Sequence, residues 1–301
     1  MAIILQKTNP YTAPQTYHLK MEDFSELAER FTLSGNIVDM EKQECYSGRL
    51  HISDGQIVRI ERGPVAETHY ILPGFIDAHV HIESSLLTLS AFACAAVKQG
   101  IVAAVADPHE IINAAGTEGV HFMLEAVRPS GFKFFFGAPS CVPVTPGLSG
   151  DNLKKYVQAG ISTDYECEDI CEAEEKIAAG MKVIIRESSR AKNFDRLYPL
   201  INRYPSSVMI CTDDCFPHDL LNGTLIHILK KGLDKGLNFF NLLRALSWNI
   251  VHHYNLSVGL LRQGDFADCI VVNNIDELTI LQTYINGEKI YDKEAVPYVP
   301  V

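Results

Sequence analysis

Three times in the middle of the chain an amphipathic helix ends at a glycine, and an apolar strand follows that finishes in polar residues. Leu87 to Lys98 ends at Gly100 and leads into Ile101-Val-Ala-Ala-Val-Ala-Asp-Pro-His-Glu110. Asn152 to Gln158 ends at Gly160 and leads into Ile161-Ser-Thr-Asp-Tyr-Glu166, and Glu172 to Ala179 ends at Gly180 and leads into Met181-Lys-Val-Ile-Ile-Arg-Glu-Ser-Ser189. Glycine supplies the left-handed cap that lets each helix stop and the chain turn back. Strands that alternate with helices predict an α/β fold with a parallel sheet, and polar residues gathered at the strands' C-terminal ends mark where such a sheet builds its site. Six strands follow from this pattern, at 71–81, 101–107, 132–140, 161–166, 181–187 and 207–213, with helices at 194–204, 222–234 and 238–255 completing an outer layer. A closed barrel of this type has eight.

The first of these strands carries the chemistry. Ile71-Leu-Pro-Gly-Phe-Ile-Asp-Ala-His-Val-His-Ile-Glu-Ser-Ser85 runs as an apolar strand and then delivers His79 and His81 two residues apart, with Asp77 two residues before. Side chains alternate faces along a strand, so both imidazoles aim at one point. Two imidazoles need only one or two carboxylates from elsewhere to complete a hydrolytic metal centre. The plain alternative is two histidines on a solvated strand. Pro73-Gly74 followed by Phe75 and Ile76 favours instead a buried strand that meets a loop.

Residues 20–31 read as a short helix, and Asn36 to Asp39 and Tyr46 to Ile60 as strands around an Asp54-Gly55 hairpin turn. Gly264 to Val272 and Thr279 to Gly287 are strands again, so segments 1–70 and 259–301 are expected to share one small β domain beside a 71–258 barrel. With 47% apolar and 21% charged residues, the 301-residue chain reads as globular, and a net charge of −11 excludes a nucleic-acid backbone as partner. The start lacks a secretion signal and no run is long enough to span a membrane, which points to the cytoplasm. The eight cysteines read as reduced thiols; the pairs Cys167 with Cys171 and Cys211 with Cys215 do not have zinc-knuckle spacing.

The order of the HxH strand, Ala106-Asp-Pro-His-Glu110, Pro139-Ser-Cys-Val-Pro143, Ile185-Arg-Glu-Ser188, Cys211-Thr-Asp-Asp214 and Gly264-Asp-Phe-Ala-Asp268 resembles the adenine deaminases of the amidohydrolase superfamily over nearly the whole chain. The resemblance implies an amidohydrolase-type (β/α) barrel with a small composite β-sheet domain, and a metal-dependent conversion of adenine to hypoxanthine and ammonia in purine salvage. By the same resemblance His79, His81 and Asp213 are metal ligands, and Asp213 also takes the proton and passes it to the departing ammonia. Glu187 joins Asp213 as a catalytic residue, Arg186 and Ser188 are substrate residues, and Asp107, His109, Glu110 and Glu166 are substitute ligands or supports of the ligands.

The chain departs from the family pattern between Pro146 and Gly147, where a metal-binding glutamate and histidine and about two strands are missing. The family's histidine ligand on the sixth strand is Tyr165, and the family's C-terminal extension is absent. These departures lead to an expectation of one divalent cation per chain, manganese, iron or zinc, in place of the family's two, and of a homo-oligomer that covers the shortened sheet. Two alternatives stand beside this reading: a degenerate amidohydrolase that serves as a binding or assembly partner, and a mononuclear enzyme acting on another cyclic amide or amidine.

Overall fold

The computed structural model describes residues 4–5, 30–127, 131–137 and 146–295. Six parallel strands make its central sheet. In spatial order they are Thr163–Asp164, Lys182–Arg186, Val208–Cys211 continued by Asp213–Asp214, Phe75–His81, Ile101–Ala106 and Lys133–Gly137. The Val208–Asp214 strand changes partner midway. Its first half pairs with Lys182–Arg186 (Cys211 opposite Arg186), and its second half pairs with Phe75–His81 (Asp213 opposite Val80, Asp214 opposite His81). Asp213 makes the switch in a left-handed conformation, φ 55°, which is costly for a residue with a Cβ and recurs at functional sites.

A parallel strand is present at each of the six predicted places, although 207–213 runs on to Asp214, 161–166 shrinks to two residues and 138–140 lies outside the described residues, as does the Pro139–Pro143 motif. Among the described residues no ladder joins Lys133–Gly137 to Thr163–Asp164. Among the described residues the sheet is therefore not closed between these two strands. On the outer edge of Lys133–Gly137 the backbone of Ile4–Leu5 pairs antiparallel. The glycines at 100, 160 and 180 sit at φ 78°, 92° and 92°, the left-handed caps that the helix–strand repeats require.

A seven-stranded sheet stands beside this one. Its order is Glu288–Asp292, Ile280–Ile285, Cys269–Val272, Tyr70–Pro73, Arg30–Asp39, Glu44–Ser53 and Gln56–Arg62, so three strands from the C-terminal segment join four from the N-terminal one through the pairing of Cys269–Val272 with Tyr70–Pro73. Asp54 and Gly55 make the hairpin turn with φ 53° and 76°. Two expectations are corrected here. Residues 30–31, read as the end of a helix, begin a strand, and the rest of that predicted helix lies outside the described residues. The single strand 71–81 is two strands: Tyr70–Pro73 pairs with Cys269–Val272, and Phe75–His81 enters the parallel sheet.

Gly74 is the break. Its N–H donates to Asp268 of the small sheet (3.1 Å), the next N–H donates to Gly100 of the large one (2.9 Å), and a Cβ at 74 would collide with Val102. The buried Asp268 carboxylate ties the layers together by accepting from Lys133 Nζ (2.6 Å), Gly259 N (2.7 Å) and Asn286 N (2.8 Å). The Gly264–Asp268 motif is thus a structural joint. Seven cysteines among the described residues are free thiols; Cys167, Cys211, Cys215 and Cys269 are buried, and Cys45, Cys94 and Cys171 are exposed. No helix among the described residues is long and apolar enough to cross a membrane.

Candidate metal centre

His79 and His81 leave the C-terminal end of their strand on one face, and the register that sets Asp213 opposite Val80 places its carboxylate between them. His79 Nε2 and His81 Nε2 are 3.1 Å apart, and Asp213 Oδ1 lies 3.6 and 3.2 Å from them. One donor atom from each of the three residues falls within 4.8 Å of the others. Two imidazoles and a carboxylate converging in this way suit a divalent transition metal with positions left open for water or substrate. His81 Nδ1 donates to the Asp107 carbonyl (3.0 Å), which leaves Nε2 as the ligating nitrogen.

The electrostatics follow from burial and neighbours. Burial first, and then the adjacent His81, push the His79 imidazole down to about 3, so it is neutral and ready to ligate. Burial also works against charge on His81, but the carboxylates of Asp213 and Glu110 outweigh it and push that imidazole up to about 11, so a cation held here would displace the proton from Nε2. Asp213 is held below the usual carboxylate range although burial opposes this, because His81, His79 and Arg186 surround it. Asp77 does not join the cluster. Its carboxylate accepts from Thr212 N (3.0 Å), Thr212 Oγ1 and His79 N (3.3 Å), and burial raises it to about 7. It anchors the metal strand to the turn that presents Asp213.

Around this core lies a second ring of groups. Arg186 donates to Asp213 Oδ2 (3.2 Å) and grips Glu166 with both terminal nitrogens (2.5 and 3.1 Å), a forked geometry that a lysine could not reproduce. Tyr165 lays its ring on the His79 imidazole, with centroids 4.3 Å apart and planes inclined by 22°. On the opposite flank His109 Nδ1 is 3.5 Å from Asp107 and its Nε2 is 3.5 Å from Glu110, while Glu110 approaches His81 Nδ1 at 3.4 Å. Asp107 Oδ1 and Glu110 Oε2 are buried and make no hydrogen bond among the described residues.

The sequence-predicted residues therefore divide. His79, His81 and Asp213 form the centre, Glu166 and Arg186 brace Asp213, and Asp107, His109 and Glu110 line the His81 side. Glu187 and Ser188 are not brought to the centre. Strand alternation turns Glu187 away from Arg186 toward Lys231 (3.2 Å) and Lys192 (3.9 Å), which places it outside the catalytic role expected of it. Ser188 Oγ accepts from the Arg190 and Ala191 N–H groups and caps a turn. Sequence reading missed the bond from Thr212 to Asp77, a contact between residues 135 positions apart that no local pattern signals.

Known proteins resemble this chain in sequence and in fold. A model of the amidohydrolase family matches residues 70–190 and 183–290. The chain is 41% identical to an adenine deaminase of Methanosarcina mazei over an alignment of 323 residues that takes in 87% of this chain and 58% of that one. It is 40% identical to an adenine deaminase of Salinibacter ruber, with 85% and 58% covered. The chain thus spans 58% of the length of these curated relatives, and an alignment longer than the chain itself means that they carry internal residues it lacks. Among solved structures it resembles a beta-aspartyl dipeptidase of Fervidobacterium islandicum (TM-score 0.61, 12% identical, 89% and 100% covered). It also resembles an N-acetylglucosamine-6-phosphate deacetylase of Thermotoga maritima (TM-score 0.56, 14% identical, 87% and 100% covered). At such identities these likenesses speak to fold alone. A family match across most of the chain, on a parallel sheet with the HxH strand and the last-strand aspartate brought together, has one meaning: the chain belongs to the amidohydrolase family.

Proposed function

We propose that the protein is a metal-dependent adenine deaminase that converts adenine and water to hypoxanthine and ammonia. The observation that carries this is the convergence of His79, His81 and Asp213 on one point in a chain about 40% identical to adenine deaminases. These three residues would hold one divalent cation, manganese, iron or zinc. When bound, the cation acidifies water and polarises the carbon that bears the amino group. Asp213 manages the proton. Arg186 occupies its Oδ2 and favours the ionised carboxylate, so Oδ1 is the base that takes the proton from water and returns it to the departing ammonia. A bond from carbon to oxygen forms as the bond from carbon to the amino nitrogen breaks.

His109 and Glu110 flank the centre from the side of Ile101–Ala106 and in this reading support the ligand His81. Glu187 and Ser188 support the end of their strand in this reading and do not touch substrate. The acidic chain, with a net charge of −11, suits a neutral free base better than a nucleotide. A cytoplasmic homo-oligomer acting in purine metabolism completes the reading.

Elemental analysis of protein purified without added metal, together with ammonia release from adenine by the wild type and by His81→Ala, tests it. About one cation at this centre, with ammonia release lost in the variant, is expected. Bound cation without ammonia from adenine would redirect the search to other cyclic amides or amidines. Absence of both would leave a binding partner in place of an enzyme.

A further inference from the structure

The two histidines of the centre are oriented by different means. A ligating imidazole ordinarily has its second ring nitrogen bonded to a carboxylate, a carbonyl or water, which fixes both the ring plane and the nitrogen that faces the metal. His81 has such a bond, from Nδ1 to the Asp107 carbonyl. His79 has no side-chain hydrogen bond among the described residues other than its contact with His81. Instead the Tyr165 ring lies flat on its imidazole at 4.3 Å, while His81 meets it edge-on at 84°.

The platform is itself immobilised. Asp164, the residue before it, is buried against Lys176 Nζ (2.7 Å), and Glu166, the residue after it, is clamped by Arg186. The Arg186 guanidinium also lies 5.8 Å from the centre of the Tyr165 ring. A ring fixed on both sides and stacked on an otherwise unbraced imidazole restricts rotation of that imidazole about its terminal torsion, which has a broad preference of its own.

We infer that Tyr165 is the positioning residue for His79: the face of its ring sets the imidazole plane, a task that a hydrogen bond performs for His81. This inference rests on the reading of His79, His81 and Asp213 as a metal centre. It requires the ring and not the hydroxyl. Tyr165→Phe therefore keeps cation affinity, whereas Tyr165→Leu and Tyr165→Met, which fill similar space without an aromatic face, weaken it about tenfold.

The test is titration of metal-free full-length protein with cobalt(II), reading both the dissociation constant and the visible absorption of the bound ion, with thermal melting as a check that each variant is folded. Wild type and Tyr165→Phe are expected to share one affinity and one spectrum, and the Leu and Met variants to bind more weakly with an altered spectrum. The inference is overturned if a folded Leu or Met variant binds like the wild type, or if Tyr165→Phe loses as much as they do. Should neither aliphatic variant fold, the same titration of Tyr165→Phe and Tyr165→Trp decides, since retained affinity and spectrum in both require only an aromatic face and loss in Phe excludes the role. Wild-type protein that takes up no cobalt would overturn the metal-centre reading as well, which distinguishes the two failures.

Discussion

At the scale of single residues, the centre depends on how Asp213 is shared. One oxygen faces the imidazoles and the other is held by Arg186, whose charge is in turn matched by the forked bond to Glu166. Glu166 touches no ligand atom of the centre directly, so its effect passes through Arg186. Glu166→Gln removes the charge partner and one of the two acceptors. The released guanidinium then leans on Asp213 and makes it a poorer base. Ammonia release from adenine should fall by about tenfold while the cation content stays at the wild-type level. Steady-state rates with elemental analysis on the same preparation would show this; a parallel loss of cation would place Glu166 among the groups that hold the metal.

At the scale of elements, the short strand Thr163–Asp164 owes its position to a buried ion pair more than to its two-residue ladder. Lys176, fully buried on the helix Ile170–Ala178, meets both Asp164 (2.7 Å) and Glu172 (2.6 Å). Glu172 also accepts the N–H of Gly147 (2.7 Å), and Glu175 that of Gly150 (2.8 Å). The same helix therefore holds both the platform segment and the loop that follows the shortened stretch. Lys176→Met leaves Asp164 buried without its counter-charge and should cost about 3–5 kcal/mol by urea unfolding. Lys176→Met with Asp164→Leu, which removes the two fully buried charges and leaves Glu172 bonded to the Gly147 and Glu168 N–H groups, should recover most of that loss. If the double variant is no more stable than the single one, the pair is not what holds the segment.

At the scale of the whole molecule, Ile4–Leu5 pairs with the outer edge of Lys133–Gly137, whereas the outer edge of Thr163–Asp164 has no partner strand among the described residues, and an uncovered flank of parallel sheet is costly to leave in water. Assembly of copies across that flank is the expected remedy, and size-exclusion light scattering of the full chain should give a mass above that of one 33.5 kDa chain; a well-folded monomer would contradict it. Much of this architecture was legible beforehand. Periodicity located the helices and strands of the repeats, and glycines marked where they turn, because both signals are local. The HxH spacing placed two ligands because a strand's alternation is a property of the backbone alone. Residues brought together from distant positions were legible only in part. Resemblance singled out Asp213, yet the split of Val208–Asp214 between two partners, the bond from Thr212 to Asp77 and the stack of Tyr165 on His79 depend on how strands from separate segments align. Glu187 shows the same limit from the other side. Adjacent in sequence to Arg186, it faces Lys231, since one step along a strand reverses the direction of a side chain. Sequence by itself determined the elements and the two histidines, which need only short-range stereochemistry; tertiary structure decided which carboxylates, cations and rings surround them, because that is set by register between strands far apart in the chain.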